Sequence, residues 1–107
     1  MTEPRVDELN AAVEKLVGRV ADWTPSRWAA SGASGQTRAE RVHELVQWLA
    51  DRAADAEGEP HRAVPRLDND LALPDQLRVV AADLVAVADP TTAAEAAQRV
   101  RAVRLAR

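Results

Sequence analysis

Residues 4–23 read Pro-Arg-Val-Asp-Glu-Leu-Asn-Ala-Ala-Val-Glu-Lys-Leu-Val-Gly-Arg-Val-Ala-Asp-Trp, and the spacing of their apolar positions decides the fold class. Val6, Leu9, Val13, Leu16, Val20 and Trp23 recur at intervals of three and four. Helical geometry gathers such a series into one seam. Valine at the a-type positions with leucine at the middle d-types would suit a parallel two-stranded coiled coil. The flanks argue for something broader. Asn10, Ala12 and Val17 occupy e and g positions where a zipper needs complementary charges, and Val17 widens the seam into the stripe of a globular bundle helix. The expected fold is all-α, a helical bundle.

Working outward, the first helix should run from about residue 3 to 21, with Thr2 as a cap and Glu3, Asp7 and Glu8 at the positive end of its dipole. In Trp23-Thr24-Pro25-Ser26-Arg27-Trp28, Thr24 fits an N-cap and Pro25 the first helical position. Trp23 and Trp28 then stand at the two positions a hydrophobic staple pairs. A short helix should follow and end in the flexible connector Ser31-Gly32-Ala33-Ser34-Gly35.

Thr37 and Glu40 have capping-box spacing and open a second main helix over 38–57, whose inner face carries Val42, Leu45, Val46, Leu49, Ala53 and Ala56. Gly58 can close it in the left-handed conformation. Pro60, Pro65 and Pro74 forbid a long helix through 58–73, yet Val64, Leu67, Leu71 and Leu73 are apolar enough to lay that crossover over the core. A third main helix, from about Pro74 to Ala88, should bury Leu77, Val80, Ala81, Leu84 and Val87. Its back is also apolar, with Val79, Ala82 and Ala86 opposite the core stripe. Such a helix is either central or half of an interface. Thr92 and Glu95 have the spacing of another capping box, for a fourth main helix over 93–105 with Ala93, Ala96, Ala97, Val100 and Val103 inside. The expectation is thus one domain over 1–107, with four main helices, one short helix and a long Pro-containing crossover between main helices two and three.

At this length, folding should bury roughly 65 % of the surface the unfolded chain exposes, enough for one modest core. Alanine supplies 23 of the apolar residues, against 13 Val and 10 Leu, so the core should be narrow and closely approached. Thirteen Arg against one Lys, with no Phe or Tyr, has the look of a high-GC bacterial genome rather than of nucleic-acid binding, because the net charge is −3. The chain has no cysteine, which removes disulfides, thiolate chemistry and Cys-ligated zinc and fits a cytoplasmic protein. It shows neither a signal-peptide pattern at its start nor an apolar run long enough to span a membrane.

Candidate chemistry is sparse. His43 and His61 are the two histidines and stand apart, without ligand-like spacing. Asp68-Asn69-Asp70 with Asp75 is dense in oxygen but lacks the alternation, turn glycine and distal glutamate of a calcium loop, so turn formation is the simpler role. No serine has a general base beside it, and Gly32 and Gly35 lack the frame of a phosphate loop. The reading therefore expects no catalytic, cofactor-binding or metal-ligating residue and leans away from an enzyme.

Arg99, Arg101, Arg104 and Arg107 spread around their helix and fit the dipole at its C-terminal end. Trp48, off the core stripe with Arg52 one turn away, has the composition of an interface hot spot. The expected function is a non-catalytic interaction or oligomerisation module, binding a second copy or another helical protein. Its surface is assigned to Trp48, Arg52, Val79, Ala82 and Ala86. Two rivals stand beside it. One is a small-molecule or enzyme-accessory subunit with a pocket beside the crossover, near Trp23, Trp28 or Trp48, where Arg66 or Asp70 would converge. The other is a nucleic-acid accessory protein using the terminal arginines, which requires them to gather on one face.

Overall fold

The computed structural model describes residues 4–106. Thr2 and Glu3, expected at the start of the first helix, and Arg107 lie outside the described residues. The elements are α1 (Pro4–Val20), α2 (Pro25–Ala29), α3 (Arg38–Glu57), α4 (Leu73–Val87) and α5 (Pro90–Leu105), with a 3-10 turn at Asp70–Ala72. No strand occurs among the described residues; a single isolated bridge joins Ser31 to Thr37. The all-α expectation holds, with α3, α4 and α5 as the second, third and fourth main helices.

Local chemistry explains the boundaries. Thr37 and Glu40 form the expected reciprocal box: the Glu40 amide donates to the Thr37 hydroxyl at 3.0 Å, and the Thr37 amide donates to the Glu40 carboxylate at 2.9 Å. Gly58 ends α3 at φ 70°, a conformation a side chain would strain, and its N–H satisfies carbonyls of the last turn. Thr24 caps α2 by accepting from the Arg27 amide at 3.2 Å, with Pro25 behind it.

The packing pairs are α1 with α5, α1 with α4, α3 with α4 and α3 with α5, so α1 and α3 stand diagonally across the bundle. Ala93, Ala96 and Ala97 of α5 are fully buried, and Ala12 of α1 nearly so. Small side chains on both helices allow the close approach that the composition implied. Trp28 is the largest fully buried side chain and closes one end of the core.

Several expectations need correction. α5 starts at Pro90, not 93, and Asp89 rather than Thr92 is its cap, accepting from the Thr92 amide at 2.7 Å. The physical reason is that aspartate is a strong N-cap and Pro90 has its φ preset for the first helical position. Val87 and Ala56 were placed on inner faces but are exposed, since each lies in a terminal turn beyond the last buried layer, Leu84 and Ala53. The crossover is ordered, and Leu73 is buried at its end, but Leu67 and Leu71 face solvent. Polar side chains of α3, rather than those leucines, hold the segment down.

Candidate functional site

One end of the bundle brings four helices together around Trp23. α1 stops at Val20, the Trp23 amide returns to the Val20 carbonyl at 3.1 Å, and the Arg38 amide ties the start of α3 to the Ala30 carbonyl just past α2 at 3.0 Å. These links leave a cleft of about 400 Å³ between α1, α2, α3 and the last turn of α5. Leu16, Val20, Val42 and Val103 form its floor, and Arg19, Arg27, Arg38 and Arg104 its rim. Trp23 is half-buried within it, with the Arg27 guanidinium 5.0 Å and the Arg38 guanidinium 5.8 Å from its ring centre. Arg41 lines a small adjoining recess with Trp23 and Arg38.

Most arginines elsewhere are paired with acids. Among the described residues outside this end, Arg5, Arg52, Arg66, Arg78 and Arg101 have carboxylate partners, while Arg62 and Arg99 do not. Among the described residues none of Arg19, Arg27, Arg38, Arg41 and Arg104 has one, and the Nε of Arg104 is buried without a hydrogen-bond acceptor. Among the described residues Asp22 is the one acid lining this end, in the shallow hollow that continues from the cleft past Thr24.

A second feature runs along α3. The crossover lies on this helix as a strap held by side chains. Gln47 reads the strap backbone from both sides: its oxygen accepts from the Val64 amide at 2.7 Å and its nitrogen donates to the Arg62 carbonyl at 3.0 Å. The Nε2 of His43 lies 3.0 Å from the Val64 carbonyl and must carry the proton there. His61 meets Asp55 at 2.6 Å, and Gln76 of α4 donates to the Pro65 carbonyl at 3.1 Å. Beneath the strap is a hollow of about 570 Å³ lined by Ala50, Ala53, Ala63, Val64 and Val80 among others, with no tryptophan. Arg66 and Asp70, expected to converge on a pocket, pair with each other at 2.9 Å instead. Asn69 caps the 3-10 turn, accepting from the Leu71 amide at 3.0 Å, which gives the acidic cluster a turn-forming role.

The residues assigned to an interaction surface fall in two places. Trp48 is half-buried in the groove between α3 and α5, flanked by the guanidinium of Arg52 at 5.4 Å and that of Arg99 at 4.8 Å. Arg52 also pairs with Asp55 at 3.0 Å. Val79, Ala82 and Ala86 stand exposed on the outer face of α4, and Val79 keeps 61 % of its surface. Among the described residues no crossover or helix covers them. The terminal arginines diverge: Arg99 goes to Trp48, Arg101 to Glu8 at 2.7 Å, and Arg104 to the cleft.

Among the described residues no group of three or more His, Cys, Asp or Glu side chains could hold a metal ion, and no helix is long and apolar enough to cross a membrane. The sequence reading laid the crossover on the core, where Val64 and Leu73 do pack, and offered a pocket near Trp23, Trp28 or Trp48 beside the crossover. The arginine rim around Trp23 and the polar contacts of the strap escaped it, because their members come from elements far apart in the chain. Arg38 alone carried a signal: a cation at the first position of a helix opposes the dipole. Comparison with family models, curated proteins and solved structures finds no match to this chain.

Proposed function

We propose that this chain is a non-catalytic interaction module that pairs with a second copy of itself through the outer face of α4. The observation that carries the reading is the heptad frame on that face. Val79 and Ala86 take a positions, Ala82 takes d, Arg78 takes g and Asp83 takes e, and Val79, Ala82 and Ala86 are all exposed. A parallel two-fold arrangement sets each g residue beside the e residue five positions on in the partner. Arg78 of one copy then meets Asp83 of the other, twice by symmetry. Small residues at d and the second a position permit close approach. Arg78 is free to change partner, since its contact with Glu14 is long, at 3.8 Å, and both side chains are well exposed.

The seam is short, so the dimer is weak and concentration-dependent. Light scattering or sedimentation of the wild type at increasing concentration should show monomer passing to dimer. Val79→Glu should stay folded and remain monomeric, because it puts a charge in an apolar contact. Arg78→Asp should weaken the dimer, and Arg78→Asp combined with Asp83→Arg should restore it. A wild type that stays monomeric at its solubility limit, or a double variant no better than the single one, overturns this arrangement. A Val79→Glu variant that unfolds would show that the face belongs to the core.

A further inference from the structure

We propose that the cleft around Trp23 is a binding site for polyphosphate, either free or as the phosphate chain of a nucleotide. Arg19, Arg27, Arg38 and Arg104 line one cleft and Arg41 its adjoining recess, while among the described residues Asp22 is the only acid lining this end. These described side chains, five arginines and one aspartate, sum to +4 in a chain whose total is −3. Concentrating unpartnered like charges in one place costs stability unless a counter-charge arrives. Among the described residues, the arginines outside this end carry their own acids in most cases, and here none does.

Helix-end chemistry explains only part of the cluster. Arg19 and Arg104 lie in the last turns of α1 and α5, where a cation complements the dipole. Arg38 is the first residue of α3, where a cation is opposed by it. Stacking on Trp23 orients the guanidiniums of Arg27 and Arg38 without neutralising either.

The form of the cleft selects among anions. Its volume of about 400 Å³ suits a small molecule rather than a folded domain. Leu16, Val20 and Val42 on the floor are at most 2 % exposed, so an apolar body would find little surface to cover. Recognition then falls to the guanidinium rim, whose planar forks match phosphate oxygens two at a time. Several guanidiniums require more acceptor oxygens and more charge than one carboxylate offers, and a chain of two or three phosphates supplies both.

The test is calorimetric titration of the intact protein with sodium tripolyphosphate, with ATP and citrate in parallel, at low and raised salt. Tryptophan fluorescence and melting temperature serve as second readouts. Tripolyphosphate should bind and raise the melting temperature, and its affinity should fall as salt rises. Arg38→Gln and Arg104→Gln should each weaken it by about tenfold, the loss of one charge-assisted contact. Arg62→Gln, an exposed arginine on the strap, should leave it unchanged. If ATP binds at least as well as tripolyphosphate the source is a nucleotide; if only tripolyphosphate binds it is the free chain. Absence of binding at low salt, equal binding of citrate, or an equal loss in Arg62→Gln would each overturn the assignment. Both glutamine variants should remain folded and melt no lower than wild type at low salt, so a lost titration cannot be put down to unfolding.

Discussion

The indole of Trp23 meets that of Trp28 edge to face, with ring centres 4.8 Å apart and planes at 68°. Trp28 is fully buried while Trp23 keeps one side in the cleft, so the pair joins the core to the surface that the arginines surround. Trp28→Ala should cost about 3–5 kcal/mol, the range for deleting a large buried aromatic, and should lower the melting temperature more than Trp23→Ala does. Trp28→Phe should be far milder. The Trp28 N–H is buried without an acceptor, so phenylalanine keeps most of the volume and removes an unsatisfied donor. Thermal unfolding of the three variants checks the order.

Asp89 is the cap of α5, and its carboxylate takes the Thr92 amide at 2.7 Å. Asp89→Ala should destabilise the protein by about 1 kcal/mol, within the usual range for losing an N-cap. Glu95→Ala should be close to neutral, because Glu95 is exposed and does not serve the cap. Equal losses in the two variants would restore the capping box that the Thr92 and Glu95 spacing suggested.

Local signals in the chain proved readable where one residue acts on its near neighbours. The Thr37–Glu40 box, the Thr24-Pro25 start, the Trp23–Trp28 staple and the closing Gly58 all work within five residues, and each appears in its expected place. Where two local signals competed, as Asp89-Pro90 did with Thr92–Glu95, spacing alone could not rank them; cap strength and the preset proline φ did. That the crossover lies on the core was legible from its apolar residues, but what fastens it was beyond reach, because Gln47 and His43 hold backbone groups 15 to 21 residues away. Periodicity carries no information about such pairings. The arginine cleft was hidden for the same reason, its rim coming from α1, α2, α3 and α5.

Acid should weaken the fold through identifiable carboxylates. Hydrogen bonds from Arg101 and then Arg5 hold Glu8 below the ordinary glutamate value of 4.5, and the Thr37 backbone does so for Glu40. The His61 side chain lowers Asp55, and the Thr92 backbone lowers Asp89, from the ordinary aspartate value of 3.8. A carboxyl group whose folded pKa lies below its unfolded one stabilises the fold fully above the unfolded value, and that contribution is lost as pH falls through the folded value. Stability from these groups should therefore be flat from neutral pH down to about 5 and decline below 4.5. Denaturant midpoints across that range check the slope, and Asp89→Asn should make it shallower.

Gln47 is the residue on which the strap depends. It satisfies the Val64 amide and the Arg62 carbonyl, while His43 takes the Val64 carbonyl, so the strap backbone around Val64 is held by α3 side chains. Gln47→Leu removes two of those bonds without emptying the position. Each is worth about 1 kcal/mol, so local opening of the strap should become roughly tenfold or more frequent. Trypsin reports this directly, because Arg62 and Arg66 lie on the strap and are exposed. Cleavage after these residues should accelerate in the variant by that factor, while the melting temperature of the bundle falls only slightly, since the helix contacts are untouched. His43→Ala should give a smaller acceleration, having one bond to lose. Cleavage rates equal to wild type in both variants would show that the strap is held by its buried ends, Leu73 and the close of α3, and not by the polar contacts between them.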